Sequence, residues 1–131
     1  MNDHSHSSGD NVLAGYWVVI PAYNEAATIR DVASRAVRQI ERVIVVDDGS
    51  TDGTADALVG LPVALLRNPT NRGKAASLWR GFQQALAAGA SGVVTLDGDG
   101  QHAPEDIPRL LAEAVFHPDH VIIGARRRDQ R

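Results

Sequence analysis

The sequence predicts an α/β fold in which a mostly parallel sheet is covered by helices on both faces. Strand-like and helix-like segments alternate along the chain. The strand-like runs, such as VIVV at 43–46, are continuously apolar, which is typical of strands buried on both faces. A chain of 131 residues with 44% hydrophobic content is long enough for a single domain with one core.

Five strands are predicted from short apolar runs that end in turn or polar residues. They cover residues 16–21, 42–48, 62–68, 92–96 and 120–125. Proline cannot donate to a sheet ladder, so Pro21 is expected to end the first strand.

The helices are predicted from apolar residues that recur at helical spacing. They start near Ile29, Lys74 and Pro104, with a short additional helix over 55–60, and Asn24 is expected to cap the first. The second long helix carries a stripe on which Trp79 and Phe82 are interpreted as core residues. The other members of the stripe are Ala75, Leu78, Ala85 and Leu86.

The bulk composition limits the classes of function. A net charge of −3 argues against a general nucleic-acid surface, so no nucleic-acid partner is expected. The absence of cysteine excludes a disulfide framework and a thiolate zinc site. No apolar run approaches the ~18 residues of a membrane span. Residues 1–14 lack the order of a signal peptide and are expected to be a disordered polar tail before a domain over 15–131.

An acidic segment, DGDGQ at 97–101, follows the fourth predicted strand, at the edge where parallel sheets bind ligands. Two like charges ~4 Å apart at an effective dielectric constant of ~20 cost roughly 4 kcal/mol, so Asp97 and Asp99 need a positive partner. Their carboxylates and the amide oxygen of Gln101 suit a hard cation. We therefore predict a site for Mg²⁺ or Mn²⁺ in this segment.

The acidic segment has three other possible interpretations. A tight polar turn is the ordinary role of Asp-Gly pairs. An EF-hand loop is excluded, because His102 and Pro108 stand where that motif needs Gly and Glu. The run GDGQHA matches a dinucleotide-binding fingerprint, so a dehydrogenase-type domain remains an alternative. It would place Asp97 and Asp99 against a pyrophosphate without a cation between them.

Further candidate ligands follow the first three predicted strands. Lys74, the only lysine in the chain, stands near a helix start, where the helix dipole disfavours a cation. With Arg72 and the helix amides it could attract phosphates, the alternative being a solvated lysine. Asp48 could accept hydrogen bonds from a nucleobase or ribose. Tyr23 and Glu25 could face it in a base pocket or be ordinary helix-entry residues.

Taken in order, five segments resemble the nucleotide-sugar-binding half of family 2 glycosyltransferases with the GT-A fold. They are VVIPAYNEAATI, VIVVDDGSTDGT, NRGKAASLWRGFQQA, VVTLDGDGQHAPEDIPRLL and VIIGARR. The likeness runs from about Trp17 to Arg126 and is strongest to dolichyl-phosphate (polyprenyl-phosphate) mannose synthases and their bacterial relatives. It implies a Rossmann-like, mostly parallel sheet flanked by helices.

The resemblance also implies roles for individual residues. The nucleotide sugar would be bound by Pro21, Tyr23, Glu25, Val46, Asp48, Lys74, Asp97, Gly98, Asp99 and Arg126. Asp97 and Asp99 match the family's D-x-D motif, so they are the implied catalytic residues and, with Gln101, the implied metal ligands. A cation there would stabilise the leaving nucleotide as its charge develops.

The implied reaction is inverting, metal-dependent transfer of a sugar from a UDP- or GDP-sugar to an acceptor, with a polyprenyl phosphate as one candidate. The lipid-phosphate relatives imply a cytoplasmic location with peripheral association at the cytoplasmic face of a membrane. The resembling enzymes are longer, and their later half supplies much of the acceptor site. A truncated nucleotide-sugar-binding module without transferase activity is therefore an alternative.

Overall fold

The structure, a computed structural model, describes residues 15–101 and 103–114. The predicted polar tail over 1–14, the predicted fifth strand over 120–125 and Arg126 lie outside the described residues. The helix predicted to start near Pro104 is described as far as residue 114.

Four strands and three helices alternate in this part of the chain. The strands are β1 Tyr16–Ala22, β2 Val43–Asp48, β3 Ala64–Asn68 and β4 Gly92–Thr95. The helices are α1 Ile29–Gln39, α2 Lys74–Ala87 and α3 Ile107–Ala114, with 3₁₀ turns at Asp56–Leu58 and Pro104–Asp106. All strand pairs are parallel, in the order β3-β2-β1-β4. None of the described helices is both long and apolar enough to cross a bilayer.

Different helices cover the two faces of the sheet, as predicted. One face packs against α1, the 3₁₀ turn at 56–58 and α3, in a cluster that includes Ile20, Val45 and Ile29. The opposite face packs against α2 through Val19 and Ile44. Because these strand residues are fully buried, the continuous apolar runs of β1 and β2 indicate central strands that are enclosed between two helical layers.

The strand order reverses at β1, and this reversal creates a crevice. β2 and β3 lie on one side of β1, whereas the chain returns through α2 to place β4 on the other side. β1 pairs with β4 only as far as Val19 opposite Thr95, but it pairs with β2 as far as Ala22 opposite Asp47. The space left beyond β4 is the switch point at which α/β sheets bind ligands.

The prediction that β1 ends at Pro21 is wrong, since the strand continues to Ala22. Val18 donates its N–H to the Arg42 carbonyl on the β2 side, whereas the Val19 carbonyl accepts from the Leu96 N–H on the β4 side. Backbone groups alternate between the two sides of a strand, so the nitrogen of Pro21 points toward the β4 side, where pairing has already ended. The missing N–H of proline therefore costs no ladder bond.

Helix α2 buries only part of the predicted stripe, since Leu78, Phe82 and Ala85 pack on the sheet whereas Ala75 and Leu86 are exposed. Trp79 is 61% exposed, so its interpretation as a core residue is wrong, whereas Phe82 does pack against the sheet. The fully buried positions are the small residues Ser77, Gly81 and Ala85. A Cβ at position 81 would overlap the side chain of Val19 on β1, so this glycine lets the helix lie close to the sheet.

Replacing Gly81 by alanine should lower the free energy of unfolding by about 1–2 kcal/mol, because the new Cβ would overlap the γ-methyl groups of Val19. Overpacking a core costs about 1–3 kcal/mol, and the better helix propensity of alanine returns at most about 1 kcal/mol. Urea denaturation followed by circular dichroism measures the change. Gln83→Ala, at an exposed position on the same helix, is the control and should be neutral. Equal stability of Gly81→Ala and the wild type would contradict the close packing of α2 on β1.

Candidate functional site

A cleft of about 350 Å³ opens at the carboxyl ends of β1, β2 and β4, beside the first turn of α2. Most residues predicted to bind the nucleotide sugar line it, namely Pro21, Tyr23, Glu25, Asp48, Lys74, Asp97, Gly98 and Asp99. The lining residues that sequence reasoning did not propose as ligands are Ala22, Asn71, Gly73 and Ser77. The fold therefore brings four separate segments of the chain into one crevice.

Among the described residues, two of the predicted ligands do not line this cleft. Val46 is fully buried and packs on the α2 side of the sheet, so its side chain is not available to a nucleoside in this conformation. Gln101 is exposed and donates its backbone N–H to Asp99 Oδ1 at 2.9 Å. Arg126 is outside the described residues. The ligand roles of these three residues stay predictions.

An ion pair joins the start of α2 to the end of β4. Lys74 Nζ lies 2.6 Å from Asp97 Oδ1, and Asp97 is only 9% exposed. Lys74 is the first residue of α2, where the helix dipole opposes a positive charge. The carboxylate of Asp97 offsets this unfavourable position, and the lysine in turn neutralises a largely buried acid.

Asp48 holds the segment that leads into α2. Its Oδ1 accepts hydrogen bonds from the Asn68 side chain and the Arg72 N–H, each at 2.8 Å, and its Oδ2 accepts one from the Gly73 N–H at 2.9 Å. Burial alone would raise the pKa of Asp48, but these hydrogen bonds outweigh it and hold the pKa below its ordinary value. The carboxylate thus fixes the backbone immediately before Lys74, and its predicted contact with a base or ribose stays a prediction.

Gly49 is a second support of this segment. Its φ is +75°, a backbone conformation that favours glycine. A Cβ at this position would lie 2.5 Å from the backbone nitrogen of Asn71 and from the carbonyl carbon of Thr70. The turn after β2 can therefore approach the backbone before α2 only because it carries no side chain there.

Glu25 is the carboxylate of the cleft that has the least support from the protein. Its Oε1 is buried and has no hydrogen-bond partner among the described residues. Desolvation and then the carboxylates of Asp99 and Asp97 raise the pKa of Glu25 to about 7, with Lys74 acting in the opposite direction. A Cβ at Gly98 would overlap Oε1, so the glycine between the two aspartates leaves room for this acid.

The loop that carries Tyr23 and Glu25 is fastened to the turn after β2. Asn24 adopts a left-handed φ of 52°, and its Oδ1 accepts the Thr51 N–H at 2.8 Å. The Glu25 N–H donates to Thr54 Oγ1 at 2.9 Å. Asn24 is therefore not the helix cap that the sequence predicts, because α1 starts only after Thr28. Its side chain joins two loops instead.

The residues of the cleft fit a hard cation in part. Within residues 15–101 and 103–114, no group of three or more His, Asp or Glu side chains is arranged to hold a metal ion alone. The ammonium of Lys74 nevertheless occupies a cation position on Asp97. Asp99 and the unpartnered oxygen of Glu25 add oxygen donors nearby. A cation here would be held by Asp97 and Asp99 and would complete its coordination with water and ligand oxygens.

The fold and the cleft define an α/β domain of the GT-A glycosyltransferase type. Residues 17–131 match the model of glycosyl transferase family 2, and the chain belongs to this family. The family match replaces the alternative of a dehydrogenase-type domain with that of a glycosyltransferase domain.

Individual relatives and solved structures agree with this assignment. The chain is 39% identical to the undecaprenyl-phosphate mannosyltransferase of Micrococcus luteus, in an alignment that covers 83% of this chain and 47% of that protein. It is 29% identical to the UDP-N-acetylglucosamine–dolichyl-phosphate N-acetylglucosaminyltransferase of Methanococcus voltae, and that alignment covers 84% of this chain and 51% of that protein. Its structure superposes with a TM-score of 0.65 on glucosyl-3-phosphoglycerate synthase of Mycobacterium tuberculosis in complex with Mn²⁺ and UDP-glucose. That match has 28% identity and covers 86% of this chain and 44% of the synthase. The chain thus spans about half the length of these proteins.

Replacing Glu25 by glutamine should flatten the pH dependence of stability in metal-free buffer. The pKa of Glu25 is raised from 4.5 to about 7, so the folded state holds a proton that the unfolded state has lost. Its contribution to stability is complete below about pH 4.5 and falls as the pH rises to about 7. Glu25→Gln should therefore match the wild type at pH 4 and exceed it at pH 8, in urea denaturation with EDTA.

Glu41→Gln is the matched control, because the Glu41 side chain is 82% exposed and lies away from the cleft. It should leave the pH profile of the wild type unchanged. A Glu25→Gln profile parallel to that of the wild type between pH 4 and pH 8 would contradict the raised pKa.

Proposed function

We propose that this chain is the donor-binding part of a metal-dependent, inverting glycosyltransferase that transfers a sugar from a UDP- or GDP-sugar. The observation that carries the proposal is the ion pair between the ammonium of Lys74 and Asp97, inside a cleft at the switch point of the sheet. Membership of glycosyl transferase family 2 supports the same reaction class. The solved synthase that binds UDP-glucose with Mn²⁺ supports a UDP-sugar as the first donor to test.

The residues of the cleft divide into two groups. Tyr23, which is 46% exposed, and Glu25 would bind the nucleoside beside the wall that Asp48 forms. Asp97 and Asp99 would hold the divalent cation, with Lys74 on the diphosphate. Positive charge would thus face the diphosphate, although the cleft itself is lined by acids.

The chemistry needs stabilisation of the leaving group more than it needs a base. The acceptor oxygen forms a bond to the anomeric carbon as the bond from that carbon to the β-phosphate oxygen breaks, and the electron pair leaves on the nucleoside diphosphate. A divalent cation held by Asp97 and Asp99 would supply Lewis-acid stabilisation of that charge. Lys74 would add a positive charge that is fixed on a helix start.

The acceptor in this proposal is a polyprenyl phosphate. A phosphate oxygen is already anionic and needs no general base, whereas a hydroxyl acceptor would need one. The relatives that act on undecaprenyl phosphate and dolichyl phosphate support this acceptor class. A lipid acceptor would place the protein at the cytoplasmic face of a membrane by peripheral association.

Isothermal titration calorimetry tests the donor site directly. The protein is titrated with UDP, GDP, UDP-glucose and GDP-mannose, each with Mn²⁺ and with EDTA. The proposal expects binding of one nucleotide that depends on the metal, followed by transfer to polyprenyl phosphate. Absence of binding to all four by a folded protein would overturn the donor site. Binding without transfer would instead identify a nucleotide-sugar-binding module.

Asp99→Asn should abolish the Mn²⁺-dependent part of nucleotide binding while leaving the fold intact. Asp99 is exposed, so its loss removes a cation ligand without opening a core cavity. Calorimetry with the nucleotide that the wild type binds measures the loss, and circular dichroism verifies the fold.

Asp56→Asn makes the same change of charge on an exposed residue outside the cleft. This control should bind like the wild type. If Asp99→Asn also retains the metal-dependent binding, the assignment of the cation to this pair of aspartates is wrong.

A further inference from the structure

We propose that Lys74 is a built-in counter-ion that competes with the divalent cation for Asp97, so that the protein holds metal well only together with a nucleoside diphosphate. This inference rests on the proposed function and deepens it. It assigns Lys74 two successive partners, the carboxylate of Asp97 in the free protein and the diphosphate in the complex.

Asp97 already has a positive partner. The ammonium of Lys74 lies 2.6 Å from Oδ1, and the side chain of Asp97 is 12% exposed. A divalent cation on the same carboxylate would meet the lysine charge at short range in a poorly solvated place, which is repulsive. Lys74 must therefore move before Oδ1 of Asp97 can become a metal ligand.

Lys74 can leave Asp97 without disturbing the fold. Its side chain is 55% exposed, although its contact atom touches a largely buried acid. The backbone before it is fixed independently, because Asp48 accepts the N–H groups of Arg72 and Gly73. A flexible four-carbon stem on a fixed helix start allows the ammonium to move while α2 stays in place.

A free metal ion gains little from displacing Lys74. No group of three or more acidic or imidazole side chains in the described residues is arranged to hold a metal ion alone. A diphosphate in the cleft changes this balance twice, since it supplies oxygen ligands to the cation and a new anionic partner to the lysine. Metal and nucleotide should then each strengthen the binding of the other by the same factor.

Lys74→Met tests the competition, because it removes the charge and keeps the length of the side chain. Three affinities are measured by calorimetry for each protein: Mn²⁺ alone, UDP with EDTA, and UDP with saturating Mn²⁺. The variant should bind Mn²⁺ alone about tenfold more tightly and UDP with EDTA about tenfold more weakly than the wild type. The factor by which Mn²⁺ strengthens UDP binding should also change, since Lys74 no longer links the two ligands.

Two further variants separate the contact from general electrostatics. Arg38→Met removes one positive charge from an exposed site on α1 outside the cleft, so its Mn²⁺ affinity should stay within about twofold of the wild type. Lys74→Arg keeps the charge and should keep Mn²⁺ binding weak. Lys74→Gln repeats the measurement if thermal unfolding shows that the methionine variant is less stable.

An unchanged or weaker affinity of Lys74→Met for Mn²⁺ alone would overturn the competition. If the wild type binds no UDP even with Mn²⁺, the proposed function fails, but the comparison with Mn²⁺ alone still decides whether Lys74 blocks Asp97. If the wild type binds UDP with Mn²⁺ and the Lys74 variants do not differ from it, the donor site stands and the inference alone is wrong.

Discussion

The carboxyl edge of the sheet concentrates negative charge in one cleft, and the site depends on how that charge is neutralised. Glu25, Asp48, Asp97 and Asp99 all line the same crevice. Backbone and amide donors satisfy Asp48, and Lys74 neutralises Asp97. Glu25 has a buried oxygen without a hydrogen-bond partner in the described part of the chain, which is costly unless a ligand provides one. The protein thus neutralises the negative charge of the cleft only in part, and the negative charge that remains favours a cation.

The fold keeps this arrangement in place through contacts at two points of α2. Along the helix, the bare Cα of Gly81 lets α2 lie directly on Val19 of β1. Before its first turn, the carboxylate of Asp48 holds the backbone that precedes Lys74. The lysine therefore meets Asp97 because the same helix is fixed against β1 and against the end of β2. The ion pair is a consequence of packing as much as of charge attraction.

The architecture could be predicted from the sequence because its signal is hydrophobic and local. The runs that form β1, β2 and β4 are continuously apolar, and the helix stripe from Ile29 is regular, so both faces of the sheet were predicted correctly. The exposed position of Trp79 could not be predicted in the same way. The face that α2 buries includes Ser77 and Gly81 beside Phe82, and the small size of these two residues carries no hydrophobic signal. Close approach between backbones becomes visible only when the partner strand is known.

The site was predicted at the level of segments, and less well at the level of roles. From residue type and motif position, Asp48 and Glu25 are both predicted to be nucleoside ligands, because both are acids at strand ends. Their hydrogen bonds separate them. Asp48 already accepts three hydrogen bonds that hold a loop, whereas one oxygen of Glu25 accepts none among the described residues.

Since a carboxylate has only about four acceptor positions, a residue that is largely satisfied by its own chain acts first as a support. Unused capacity in a buried group is therefore a better guide to ligand contact than motif identity. By this criterion Glu25 and the exposed Asp99 are the acids of the cleft most open to a ligand. In the proposed competition, Oδ1 of Asp97 becomes open to a ligand when Lys74 finds another anion.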